Sequence, residues 1–143
     1  MEQATENSRR QHVELRRLSD ELLSVVESPP PLDERAAQRV LSRLVGVLKV
    51  HVAMEIDGLY PPLLQHEQNE VRSMASEMVR RLRATYDGFL EFRLTWTPEA
   101  VRADPASFAK RAQALVTNLH KATQNEESDL YNKVDAIYAA MRR

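Results

Sequence analysis

Residues 34–62 read ERAAQRVLSRLVGVLKVHVAMEIDGLYPP, and this stretch decides the fold. Its inward-facing residues recur every three or four positions, the spacing that places them on one face of an α-helix. They are Ala37, Val40, Leu41, Leu44, Leu48, His51, Glu55 and Leu59. Asp33 precedes the helix as an N-cap, and Pro61 and Pro62 kink or stop it. The stretch therefore predicts an amphipathic helix over residues 34–60 that buries one face.

The rest of the chain shows the same periodicity between proline breaks. It predicts further helices over about residues 5–28, 69–96 and 105–142. The first ends where Ser28 meets a triple proline, and the last opens at Asp104-Pro105, an N-cap followed by a proline at the first helical position. Four long helices with one apolar face each, joined by short turns, predict an all-α, up-down antiparallel four-helix bundle. We expect this bundle to span residues 1–143 as a single domain.

The composition excludes several classes of protein. Three glycines among 143 residues are too few for a β-sandwich, a barrel or a phosphate-binding Rossmann loop. The chain has no cysteine, so any metal must be held by nitrogen and oxygen atoms. A net charge of −1 argues against a nucleic-acid partner. The polar N-terminal sequence and the lack of a long apolar run predict no secretory signal and no membrane partner, and hence a cytoplasmic protein.

Four ionisable residues interrupt the apolar stripes. His12 continues the stripe of the first helix, His51 and Glu55 continue that of the second, and Glu126 continues that of the last. Because burying an unpaired charge costs several kcal/mol, such residues on a core face need a reason. His51 and Glu55 lie one helical turn apart and can grip one ion, and the combination of imidazole and carboxylate suits iron, manganese or zinc. A bare pair of this spacing is more typical of an ordinary hydrogen bond or ion pair, but the presence of His12 and Glu126 on two further stripes favours a metal site.

The residues around this site resemble a known family. The segment from His51 through Glu55 to Leu59-Tyr60-Pro61 resembles the HxxxExxxLYP signature of hemerythrin-like (HHE cation-binding) domains. The segment Glu126-Glu-Ser-Asp-Leu130-Tyr131 resembles its second, ExxxLYP-type half, with Asn132 in place of the usual proline. Gln11-His12-Val-Glu-Leu15 is similar to the histidine region of the family's first helix. The resemblance runs from about residue 8 to residue 138.

The resemblance implies a bundle around a non-haem di-iron centre, used in the family for oxygen carriage, iron storage, or sensing of oxygen, nitric oxide or redox state. His12 and His51 match the ligands of one iron, and Glu55 and Glu126 match the two bridging carboxylates. Almost none of the family's ligands for the second iron are matched in this sequence. The third helix lacks histidine, and Ala122 stands where the family's histidine is expected, four residues before Glu126. We therefore expect one or two ions, with a reduced or mononuclear site.

Five further residues are secondary candidates for the site. His120 is interpreted as a flank residue, with a displaced ligand as the alternative, and Glu127 shares its helix face. Arg81 is interpreted as part of a solvated face; the sharper hypothesis is that it swings inward to pair with Glu55 or Glu126. Tyr60 and Tyr131 are interpreted as packing residues at the end of the bundle, or as phenols that hydrogen-bond to a bound oxygen species.

Three hypotheses for function follow from these observations. The first is a hemerythrin-like domain that binds a metal, iron first, and takes a small diatomic partner such as oxygen or nitric oxide. The second is a metal-free bundle that acts as a regulatory or interaction module, with another protein or a second copy of the chain as its partner. The third is a non-haem iron oxidoreductase. No general base or substrate pocket is legible in the sequence, so the enzyme hypothesis ranks last.

Overall fold

The computed structural model describes residues 3–142, and within this range the chain is helical, with no strand. The prediction of an all-α fold is confirmed. No helix in the described range is long and apolar enough to cross a membrane. In chain order the elements are α1 Glu6–Glu27, α2 Glu34–Met54, π1 Glu55–Leu59, α3 Pro61–Leu64, α4 Asn69–Thr95, α5 Pro98–Ala103, α6 Pro105–Asn125, π2 Glu126–Leu130 and α7 Tyr131–Met141.

Local capping explains where several of these helices begin. The carboxylate of Asp33 accepts a hydrogen bond from the Ala36 backbone N–H, and that of Asp104 accepts one from Ser107. The hydroxyl of Thr97 accepts a hydrogen bond from the Ala100 N–H, which starts the short helix α5. These contacts satisfy N–H groups that have no partner inside the helix.

Two π-helical turns interrupt the helices predicted over residues 34–60 and 105–142. The first, π1, begins at Glu55, and its wider ring is closed by a hydrogen bond of 2.9 Å from the Tyr60 N–H to the Glu55 carbonyl. Pro61 and Pro62 offer no N–H to the preceding turn, a local cause for its widening. The second, π2, begins at Glu126 and is followed by Asn132 rather than proline, so no breaker in the sequence marks it. Turns of this kind occur frequently at functional sites.

The helices pack around one apolar core. Helix α1 lies against α2 and α6, and α2 also lies against α4. Phe108 of α6 packs against Phe92 and Trp96 at the C-terminal end of α4, with ring centroids 5.7 and 5.6 Å apart. Further along, a cleft separates α4 from α6 and π2.

The buried face of α6 differs from the predicted stripe. Val116, which lies one helical turn before the flank candidate His120, is buried, and Leu115 is only partly buried. The buried residues of this helix are Phe108, Ala112, Val116, Leu119 and Thr123. The difference arises because α6 contacts α1 on one side and borders the cleft on the other, so burial does not follow a single narrow stripe.

Candidate metal centre

Two histidines and two glutamates meet inside the bundle. His12, His51 and Glu55 are buried, and Glu126 keeps 12% of its side chain exposed. His12, His51 and Glu126 each offer a donor atom, and these atoms lie within 4.8 Å of one another. His12 Nε2 is 3.2 Å from Glu126 Oε2, and His51 Nε2 is 3.5 Å from Glu55 Oε2. The four residues that helical periodicity pointed inward therefore lie together.

Each histidine is oriented by a hydrogen bond on its outer nitrogen. His12 Nδ1 lies 3.0 Å from Glu127 Oε1, and Arg16 holds that carboxylate through two contacts of 3.1 Å. His51 Nδ1 lies 2.7 Å from Gln11 Oε1. With Nδ1–H donating in each case, the lone pair of each Nε2 faces the cluster. Such outer partners are typical of metal-ligating histidines, because they fix the tautomer and the ring orientation.

Sequence reasoning did not identify Gln11 and Arg16 as part of the site. Their only sequence signal is proximity to His12, since Gln11 precedes it and Arg16 follows it by one helical turn. Glu127, a secondary candidate, lies on the outer side of His12. Thr5 and Arg9 were also missed; Thr5 bonds to Asp135 of α7 through its N–H and its hydroxyl, and so fixes the start of α1 against α7.

Tyr131 lies among the ligand candidates rather than at the edge of the bundle. Its hydroxyl is 2.5 Å from Glu55 Oε2, 2.8 Å from Glu126 Oε2 and 3.0 Å from His12 Nε2. Its ring is fully buried and stacks on that of His12, with centroids 5.2 Å apart. The phenol therefore links three of the four predicted residues.

Electrostatics make this cluster an unfavourable place for unpaired charge. The pKa of Glu55 is raised to about 7. Burial is the main cause, and the charge of the neighbouring Glu126 acts in the same direction. Burial lowers the pKa of His51 to about 4, with His12 acting in the same direction, so its ring is neutral near pH 7. Burial, together with Glu55 and Glu126, raises the pKa of the Tyr131 phenol. A cation at the cluster would relieve the repulsion between the two carboxylates.

One buried oxygen supports a fit to a cation. Among the described residues, Glu55 Oε1 is buried and has no hydrogen bond of standard geometry, and the nearby Ser8 hydroxyl acts to lower the pKa of this carboxyl. Buried polar atoms without partners are rare in folded proteins, and a bound ion is one of the few explanations. Neutral imidazole nitrogens and carboxylate oxygens are ligands that iron, manganese and zinc accept. The residues present therefore fit a metal ion.

A cleft of about 360 Å³ leads to the cluster between α4 and the α6–π2 segment. His51, Glu126 and Ala122 line it together with apolar side chains from α1, α2, α4, α6 and π2, namely Leu15, Leu48, Met74, Met78, Leu82, Leu119 and Leu130. Two ion pairs lie among its polar residues: Glu77 with Arg81 at 3.1 Å, and Asp129 with Lys133 at 3.3 Å. The cleft occupies the side of the site where the sequence lacks the ligands of a second ion.

The structure places the remaining candidates away from the donor atoms. Arg81 is 64% exposed and bonds to Glu77, so it does not swing inward to Glu55 or Glu126. His120 lies on the flank, 3.8 Å from Asp20. Tyr60 is fully buried, and its hydroxyl has no hydrogen-bond partner among the described residues.

An all-helical bundle that brings two imidazoles and a carboxylate together in its interior belongs to the class of helical bundles with a buried metal site. The model of the hemerythrin HHE cation binding domain matches residues 3–134, and the chain belongs to this family. The resemblance read from the HxxxExxxLYP-type segment is thereby confirmed. Searches of curated proteins and of solved structures gave no match.

Proposed function

We propose that this chain is a hemerythrin-like domain that holds a single iron ion through His12, His51, Glu55 and Glu126. We further propose that it presents this ion to a diatomic ligand, oxygen or nitric oxide, for binding or for redox sensing. The observation that carries the proposal is the convergence of two histidines on Glu126, with each outer nitrogen already hydrogen-bonded. Ligands oriented in advance bind a metal with less loss of side-chain freedom.

The donor set favours one ion over two. Helix α4 faces the cleft with Met74, Met78 and Leu82, and α6 contributes Ala122, none of which is a usual ligand for iron. Iron is proposed first because the family resemblance implies it; manganese and zinc accept the same nitrogen and oxygen donors. Four protein ligands leave coordination positions open for a small molecule.

The chain's own residues would control access and charge at this site. Gln11 and Glu127 hold the imidazole rings in place, and the apolar walls of the cleft limit water around the ligand position. Bound ferrous iron supplies the open position and the electron density that a diatomic ligand needs. The cleft gives that ligand a route from solvent to the side of His51 and Glu126.

Elemental analysis with an ultraviolet-visible spectrum tests the proposal on protein purified without chelator. We expect close to one iron per chain and no near-ultraviolet band of an oxo-bridged di-iron centre. Chelator should lower the melting temperature of the wild type by several degrees, because ligand binding to the folded state stabilises it. The His51→Ala variant should lose both the metal and the effect of chelator.

A second candidate function is a metal-free regulatory or interaction module. It is favoured by one observation: the same four side chains and Tyr131 form a connected hydrogen-bonded network without an ion. In that case His51→Ala would destabilise the protein equally with and without chelator. Metal content far below one per chain for iron, manganese and zinc alike, with no effect of chelator, would favour this module and reject the metal-binding proposal.

A further inference from the structure

The hydroxyl oxygen of Tyr131 lies at ligand-to-ligand distances from three metal-ligand candidates. It is 2.5 Å from Glu55 Oε2, 2.8 Å from Glu126 Oε2 and 3.0 Å from His12 Nε2. Two ligand atoms at right angles around an ion, each bound at about 2.1 Å, are separated by about 3 Å. The three distances are therefore close to those expected if all four atoms shared one ion.

Without an ion, protons satisfy this arrangement only if neighbours of the phenol donate to it as well. A phenol has one O–H group and can donate it to a single acceptor, yet the Tyr131 oxygen has three close polar neighbours. The other two contacts need protons on Glu55, Glu126 or His12. A cation at the centre interacts favourably with all four atoms at once.

We propose that Tyr131 Oη is a fifth protein ligand of this site when its iron is ferric. This inference rests on the proposed function, because it requires iron to be held by His12, His51, Glu55 and Glu126. Two carboxylates and one phenolate supply three negative charges, which match the charge of Fe³⁺ and exceed that of a divalent ion. Coordination replaces the phenol O–H bond by an O–iron bond and releases one proton to solvent. Phenolate is an established type of iron ligand in proteins.

The surroundings of the Tyr131 ring favour this role. The Arg9 guanidinium lies 5.4 Å from the centre of the ring, and Arg9 is itself held by Thr5 and Asp135. A cation beside the ring stabilises developing negative charge on the phenol. Tyr60 follows π1 as Tyr131 follows π2, but its buried hydroxyl has no hydrogen-bond partner within residues 3–142. A tyrosine that follows a π turn is therefore not a ligand candidate by position alone. Tyr131 differs from Tyr60 because its hydroxyl contacts the donor atoms.

A charge-transfer spectrum tests the assignment, with Tyr60→Phe as the matched control. Metal-free wild type, Tyr131→Phe and Tyr60→Phe are each loaded with one equivalent of ferrous iron without oxygen, oxidised with ferricyanide and desalted. Iron content, visible absorption and resonance Raman spectra are then recorded. We expect a broad visible band with enhanced tyrosinate ring vibrations in the wild type and in Tyr60→Phe. Tyr131→Phe should bind iron but lack the band, and zinc-loaded wild type should be colourless.

The outcomes separate this inference from the proposed function. A wild type that binds one iron but shows no tyrosinate band overturns the role of Tyr131 and leaves iron binding standing, whereas absence of bound iron overturns the proposed function itself. If Tyr131→Phe does not fold, single phenylalanine variants of Tyr60, Tyr86 and Tyr138 decide by elimination, since these complete the four tyrosines of the chain. Loss of the band in any of the three assigns the ligand to that residue instead. Retention in all three assigns it to Tyr131.

Discussion

Gln11 Oε1 lies 2.7 Å from His51 Nδ1, so a side chain of α1 fixes the imidazole of α2. The contact ties the outer nitrogen of His51 to a neutral acceptor and leaves Nε2 free to face Glu55 and the rest of the cluster. Glu127 does the same for His12 with a carboxylate. The two histidines are thus held by partners of different charge, which makes their contributions to metal affinity separable.

Replacing Gln11 with leucine should weaken metal binding without removing any ligand. The loss of an outer hydrogen bond to a ligating histidine typically lowers metal affinity by about 10- to 100-fold, because the ring is no longer held in the binding tautomer. Competition with a chromophoric chelator measures the affinity. The control is Gln124→Leu, since Gln124 is exposed on α6. Equal affinities for the two variants would show that Gln11 does not orient His51.

The Glu55→Gln variant should become more stable relative to the wild type as the pH rises. In the metal-free protein the pKa of Glu55 is raised from 4.5 to about 7, so the folded state holds its proton more tightly than the unfolded state. Stability linked to Glu55 is therefore fully present below about pH 4.5 and is lost as the pH rises through about 7. Glutamine does not titrate, so the difference in unfolding free energy should shift in favour of the variant by ~3 kcal/mol across this window. Urea unfolding in the presence of chelator measures it.

Two features of the chain sharpen this pH experiment. The pKa of His51 is lowered to about 4, so its contribution to stability is lost as the pH falls from about 6.5 to about 4. In the wild type, this loss of stability toward low pH opposes the loss toward high pH that Glu55 causes. Only Glu55→Gln should show the His51 effect clearly. Glu77→Gln is the control, because Arg80 and Arg81 lower the pKa of Glu77 to about 2. The pH range over which Glu77 affects stability therefore lies below that of Glu55. Parallel curves for Glu55→Gln and the wild type would contradict the prediction.

Enlarging Ala122 should slow ligand entry while leaving metal content unchanged. Ala122 lines the cleft beside His51 and Glu126 and does not bind the proposed ion. Leucine at this position fills part of the cleft, so nitric oxide should bind the ferrous protein several-fold more slowly in a stopped-flow experiment. Ala114→Leu changes the same helix but lines a different groove, and it should bind nitric oxide at the wild-type rate. Equal rates for both variants would mean that the ligand reaches the metal by another route.

The aromatic cluster at the other end of the bundle should dominate its stability. Phe108 is fully buried and packs against Phe92 and Trp96. Truncating a buried phenylalanine to alanine costs about 3–5 kcal/mol, because it removes buried apolar surface and leaves a cavity. Phe108→Ala should lower the free energy of unfolding by that amount in urea denaturation. Leu94→Ala is the comparison, since Leu94 is exposed and its truncation should have little effect.

Much of the site was legible in the sequence because its residues lie on helical stripes. His12, His51 and Glu55 occupy positions where the periodicity of their helices requires burial, and the structure buries them. Periodicity also placed Glu126 on an inward stripe, but α6 borders a cleft and buries Val116 and Thr123, so Glu126 stays partly exposed. The π turn at Glu126 has no proline after it, so nothing in the sequence marked the interruption.

The sequence by itself determined the helical fold and the inward direction of the four ligand candidates, because these depend on spacing within single helices. It also indicated the family through the HxxxExxxLYP-type motif. Tertiary structure decided which side chains meet. Tyr131 lies 119 positions from His12 in the chain and 76 from Glu55, yet its hydroxyl contacts both. Such contacts depend on how α7, α1 and π1 are placed relative to one another, and local periodicity does not encode that placement. The cleft likewise exists only because α4 and α6 separate beyond their shared aromatic cluster.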